Sequence, residues 1–321
     1  METLQKNSLG SFIKTHLKTI LFIIGLLILI AVLNEVVDSY VRRILNLCAI
    51  YAIVSLSMNL INGFTGQFSL GQAGFMAIGA YSVAIFTVPI AVRPTLFYVM
   101  PMNPAIANIQ LPFWGALILG GIVSALMAFL IGTPCLRLRG DYLAIATLGF
   151  SEIIRIVFTN TQDITNGALG IKGIPTINSL WLTFGTLIIV VVFLLLFINS
   201  SYGRALKSIR EDEIAAESMG INLFKHKMIS FMMSAFFTGI GGGLFAALLG
   251  TVDPKQFYFT LTYNFLLIIV LGGMGSISGT IISSFIVTAG QEWLRFLDEP
   301  FSLFGIDLPF FRPGLRMVIF S

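Results

Sequence analysis

The residues that could do chemistry fall in a few short stretches of this 321-residue chain. In "LRLRGDYLAIATLGFSEIIRIVF" (136–158), Glu152 and Arg155 stand three positions apart inside an apolar run. On a helix that spacing puts both on one face, where they can pair. Charges at such a place usually face a bundle interior or a water-filled path. The functional reading is a proton or substrate relay, and the structural reading is a self-neutralised pair. In "NGFTGQFSLGQAGFMAIG" (62–79), five glycines interrupt an apolar region and are mixed with Thr65, Gln67, Ser69 and Gln72. Non-helical backbone at membrane depth is tolerated only where it is buried in protein or lines a cavity. These four side chains, with Asn166 in the loop "DITNGALGIKGIP" (163–175), are the candidates for a polar translocation pathway. The alternative is a turn followed by close helix packing through Gly74 and Gly79.

The most polar stretch is "NSSYGRALKSIREDEIAAESMGINLFKHK" (199–227). Ser208 followed by Glu211 has capping-box spacing, so a helix is expected to begin there. No proline or glycine occurs between Ile209 and Met219, and Gly220 is a suitable stop. Ile209, Ala216 and Met219 are expected to share one face of an amphipathic helix of about three turns, with Glu211, Asp212, Glu213 and Glu217 over much of the rest. Ala215 and Ala216 leave one side small enough for another surface to approach. His16 and His226 have no partner pattern, and Cys48 and Cys135 are far apart, so neither a metal site nor a catalytic set is expected.

Composition fixes the medium in which these residues sit. Hydrophobic residues make up 56% of the chain and charged residues 11%, against roughly 25% charged in soluble domains. Mean hydropathy is +0.93. An all-α, polytopic transmembrane bundle follows, as one membrane domain over 1–321 with a cytosolic loop at 199–227. About 20 apolar residues cross a bilayer as a helix. The expected spans are 19–33, 43–61, 73–91, 112–132, 142–158, 181–198, 228–250, 260–272 and 277–296, nine in all, with 19–33 read as a retained first span. "FRPGLRMVIFS" (311–321) starts like a further one. The net charge of +4 is a topology signal, not one for nucleic acid. Lys6, Lys14, Lys18, Arg137, Arg139, Arg204, Lys207, Arg210, Lys225 and Lys227 outweigh Arg93, Lys172 and Lys255, with Arg42 and Arg43 at a span edge, which puts the N-terminus and the 199–227 loop in the cytoplasm. "VLGGMGSISGTIISS" (270–284) is either a tight turn between spans or a broken helix. No GxxxxGK[ST] loop occurs, so ATP binding by this chain is not expected.

The segment from Glu213 to Gly220, "EIAAESMG", resembles the EAA loop of ABC importer permeases. "NLINGFTGQFSLGQAGFMAIGAY" (59–81), "LRLRGDYLAIATLGFSEIIRIV" (136–157), "ITNGALGIKGIP" (164–175) and "VLGGMGSISGTIISSFIV" (270–287) resemble the permeases of branched-chain amino-acid ABC importers, the M-type subunit above all. The resemblance runs from about residue 40 onward. It implies that Arg210, Glu213, Ala215, Ala216 and Gly220 belong to a coupling helix that docks on an ATPase. It also implies two ATPase subunits that consume the ATP, a second permease of the H type, a periplasmic binding protein and a bacterial inner-membrane location. Leucine, isoleucine and valine would be the substrates. Related permeases for urea or short amides share much of the pattern. A stand-alone ion-coupled transporter, with Glu152 as its ionisable group, is the competing class.

Overall fold

The computed structural model describes residues 30–138 and 140–294, together with two short antiparallel strands, Ser302–Leu303 and Ile306–Asp307. Ten helices carry the described part. They are α1 (Ser39–Asn59), α2 (Gln72–Thr87), α3 (Phe113–Cys135), α4 (Asp141–Asn160), α5 (Leu180–Asn199), α6 (Ser201–Glu211), α7 (Glu213–Ser218), α8 (Leu223–Leu249), α9 (Phe259–Gly272) and α10 (Ile277–Trp293). Five helical runs are long and apolar enough to cross a membrane: α1 with its extension to Phe64, α3, α4, α5 and α8. A sixth appears if α2 and the short helical turns at Ile90–Leu96, bent by 95° from it, are taken as one span. The expected count of nine is therefore not confirmed. α9 and α10 have 14 and 17 residues, at or below the lower end of what crosses a bilayer. The span expected over 19–33 lies outside the described residues except for 30–33, which are helical. The apolar run at 311–321 lies outside them altogether.

The centre of the bundle is α2. Every one of its residues except Phe86 is buried, as expected of a helix that is apolar all round. Glycine lets its neighbours reach its backbone. A Cβ on Gly79 would sit 2.0 Å from the Gly239 carbonyl oxygen of α8, and one on Gly242 would sit 2.0 Å from that of Met76. Gly120 of α3 packs against Gly79 from the third side. In lipid, where no hydrophobic drive pulls helices together, such close packing is what holds α2, α3 and α8. The small-residue reading of Gly74 and Gly79 thus holds, since a Cβ on Gly74 would press to 2.9 Å from Ser151 Cα of α4.

The bend after α2 is held by Arg93, which is 3% exposed. Its guanidinium donates to the carbonyls of Ile85 and Val88 at the end of α2, and to those of Ile106, Ala107 and Ile109. One cation gathers five carbonyls around the bend, where helix ends leave carbonyls free to accept. The 163–175 loop is ordered in part by pairing of Ile171–Lys172 with Thr251–Val252. Within 270–284, residues 273–276 form a tight turn between α9 and α10. Gly273 and Gly275 both take φ of +85° there, a region open to glycine.

Candidate functional site

The polar loop is not one three-turn helix. α6 ends at Glu211, and Asp212 takes extended backbone (φ −157°, ψ 113°) and starts α7. Its carboxylate accepts from the N–H groups of Ile214 and Ala215, at 2.8 and 3.1 Å. Asp212 is thus the cap, and Ser208, expected to start a helix, lies inside α6 with its hydroxyl donating to the Ala205 carbonyl. An Asp satisfies two orphan donors of a new helix start, which a mid-helix Ser cannot. Gly220 stops α7 as expected. Its N–H donates to Glu217, that of Ile221 to Ala216, and Gly220 has φ +82°, the paired bonds of a Schellman end.

The change of axis at Asp212 also rearranges the faces. Ile209 and Ala216 are buried as expected, but Met219 is 82% exposed. Ile214, also on α7, is 72% exposed. The loop therefore presents Ile214, Ala215 and Met219 outward and holds Leu206, Ile209 and Ala216 against the bundle. Two charged contacts fix it there. Lys227, where α8 becomes buried, pairs through Nζ with Glu213 Oε1 at 2.5 Å. Arg210 Nη1 donates to the Gly63 carbonyl at 3.0 Å, while Nε and Nη2 hold Glu211. In the sequence Lys227 reads only as a loop charge and Gly63 only as one of five glycines, because neither residue type reveals its partner.

Gly63 belongs to a π-helical turn, Leu60–Phe64, that ends α1. The turn is pressed against the α9–α10 turn: a Cβ on Gly63 would lie 2.3 Å from Gly275 N. Asn59, fully buried, accepts from Gly275 N–H at 2.8 Å and donates to the Ser276 carbonyl and Thr280 Oγ1. Arg210 therefore meets the bundle where two turns are already locked together.

Beyond this turn the chain runs non-helically over residues 65–71 and then enters α2. All four sequence candidates here are buried: Thr65, Gln67, Ser69 and Gln72 are 2%, 4%, 0% and 0% exposed. Side chains satisfy several backbone groups in and beside the break, while Gln67 N–H donates to the Ile61 carbonyl. Asn62 brackets Ser69, accepting from its N–H and donating to its carbonyl. Thr147 Oγ1 of α4 accepts from Leu70 N–H, and Thr262 Oγ1 of α9 accepts from Ala73 N–H. Thr65 Oγ1 donates back to the Leu60 carbonyl. Gln72 donates to Ser234 Oγ and accepts from Thr238 Oγ1, so both its amide atoms are taken by α8. Both amide atoms of Gln67 and the Ser69 hydroxyl have no partner among the described residues. Asn62, Thr147 and Thr262 were missed because isolated polar residues in apolar runs have no sequence signature of their partner.

Asn166 does not join this group. It takes φ +59° in the loop after α4 and donates to the Leu96 and Gly170 carbonyls. That loop lies about 20 Å along α4 from Thr147 at a rise of 1.5 Å per residue. Glu152 and Arg155 do pair as their spacing suggests, Nε to Oε2 at 2.7 Å. The other Glu152 oxygen accepts from Phe259 N–H at the start of α9, and the guanidinium lies 4.4 Å from the centre of the Tyr258 ring. The pair thus clips α4 to α9.

The family described as "Branched-chain amino acid transport system / permease component" matches residues 40–308. The chain is 36% identical over 324 residues, 90% of this chain and 71% of the relative, to the high-affinity branched-chain amino acid transport system permease protein LivM of Salmonella typhimurium. The same figures hold for LivM of Escherichia coli. A probable branched-chain amino acid transport permease protein LivM of Methanocaldococcus jannaschii is 26% identical over 258 residues, 72% of this chain and 74% of the relative. No solved structure matches the chain.

Proposed function

The chain belongs to the family of branched-chain amino acid transport permease components, and from that premise we propose that it is the M-type permease of an ATP-driven importer for leucine, isoleucine and valine. It is a transport subunit, and ATP is hydrolysed by two separate subunits, one of which docks on α7. A second permease of the H type and a periplasmic binding protein complete the assembly. It lies in the inner membrane with its N-terminus and the 199–227 loop in the cytoplasm, as its lysines and arginines favour.

The observation that carries this reading is the construction of the loop. α7 and its C-cap offer exposed Ile214 and Met219, two large apolar residues in an otherwise polar segment. Exposed apolar groups on a short capped helix suit insertion into a groove. Behind them, Glu213 and Arg210 connect α7 and α6 to α8 and to the turn at Gly63. A rigid push on α7 then has two routes into the bundle. A secondary transporter would have no use for this loop. Thr65, Gln67 and Ser69 remain the pathway candidates, and the unpartnered groups of Gln67 and Ser69 favour those two.

Co-purification from native membranes through a tag on this chain, followed by uptake in proteoliposomes, tests the assignment. Two ATPases and a second permease should co-elute, and the assembly should accumulate radiolabelled leucine, isoleucine or valine only with ATP. A chain that purifies alone and transports in a proton gradient would overturn it.

A further inference from the structure

The Glu152–Arg155 pair is only half explained by its role as a clip. Glu152 holds Arg155 Nε and the Phe259 N–H with its two oxygens. The two terminal guanidinium nitrogens, Nη1 and Nη2, donate no hydrogen bond to any described residue. The side chains of Arg155 and Glu152 are 18% and 23% exposed, so they open on the surface of the bundle. Donors left unsatisfied against lipid are strongly unfavourable, and intramembrane charges normally face protein or a water-filled path. A planar fork of two N–H groups fits the two oxygens of a carboxylate.

Resting on the transport reading above, we propose that Arg155 is a transit site for the α-carboxylate of the amino acid, with Glu152 orienting the guanidinium and facing the α-ammonium. Charge selects this ligand over a fixed carboxylate from a neighbouring subunit. The pair is neutral by itself, and a partner carboxylate would leave a net negative charge at membrane depth. A zwitterion adds none. Tyr258, Phe259 and Tyr263, each partly exposed around the α4–α9 junction, supply the apolar wall that a branched aliphatic side chain needs.

The test uses the whole importer with its own partner subunits in proteoliposomes, measuring leucine uptake and ATP hydrolysis stimulated by loaded binding protein. Loss of a charge-assisted bidentate contact corresponds to about a tenfold to hundredfold loss. Arg155→Gln should therefore lower uptake by that factor while stimulated hydrolysis stays within about twofold. Arg155→Lys, which keeps the charge and loses the fork, should fall between Arg155→Gln and the unaltered chain. Leucine uptake at the unaltered rate in Arg155→Gln would overturn the inference. So would loss of the second permease from both variants on purification, because the fork would then belong to a partner carboxylate. Failure of the unaltered importer to move any branched-chain amino acid would instead sink the transport reading, before the variants are compared.

Discussion

Arg210, at the end of α6, donates to the carbonyl of Gly63, 147 residues earlier, across 3.0 Å. The same side chain fills the space beside Gly66, where an added Cβ would lie 2.8 Å from its Cγ. One arginine therefore touches the end of the π-turn and the start of the break that follows it before α2. Through one hydrogen bond the loop meets the stretch of chain that leads from Gly63 into α2 at Gln72.

Arg210→Ala should lower uptake by about tenfold while the complex still assembles and hydrolyses ATP. A charged donor to a carbonyl contributes about 1.5–3 kcal/mol when shielded, and less here because the Arg210 side chain is 39% exposed. Uptake and hydrolysis measured on the same vesicles check it. Equal uptake in the variant would remove Arg210 from the transmission route.

Glu213→Lys places two ammonium groups together at Lys227, which is 7% exposed. The expected destabilisation is about 1–3 kcal/mol, with loss of uptake. The exchanged pair Glu213→Lys with Lys227→Glu should recover a substantial part of both. If the double variant is no better than the single one, the ion pair is not what Glu213 is for.

Glycine positions separate by what surrounds them. Gly242→Val should prevent recovery of folded protein, because its first added carbon would lie 2.0 Å from the Met76 carbonyl oxygen. Gly149→Ala, in the same membrane but with nothing within 4 Å, should be tolerated and gain about 0.5–1 kcal/mol from helix propensity. Yield and melting temperature in detergent compare the two. Similar behaviour of the two variants would contradict the packing of α2 against α8.

Gln67→Leu and Gln72→Leu should also diverge. Gln72→Leu strands Ser234 and Thr238 and should destabilise by about 1–3 kcal/mol. Gln67→Leu removes two unpartnered polar atoms, so the protein should be at least as stable, with any effect confined to transport. A drop in melting temperature for Gln67→Leu equal to that for Gln72→Leu would show that Gln67 is satisfied after all.

Much of this architecture was legible in the sequence, for a physical reason. Apolar runs and loop charges obey the bilayer, a one-dimensional constraint, so the limits of α3, α4, α5 and α9 come within three residues of expectation. The i, i+3 pairing of Glu152 and Arg155 was legible for the same reason, since one helix holds both. Asp212 was not. Ser208 and Glu211 satisfied a local rule, and only the competing cap at Asp212, favoured by the turn of the chain over the bundle, decided the break. Arg210 was visible by resemblance, but its acceptor, a backbone carbonyl on another element, has no residue type to recognise. The same holds for the contacts of Thr147 and Thr262, which are set by tertiary packing alone.

The extended residue between α6 and α7 makes the loop a two-piece part. The inner piece carries Arg210 and is seated by Leu206 and Ile209, while the outer piece is tethered mainly by Asp212 and Glu213 and bears Ile214 and Met219. The outer piece is thus an adapter. On the proposed docking role, exchange of Ile214 and Met219 would suit the loop to a different ATPase while Arg210, Glu213 and Ala216 keep the contacts behind them.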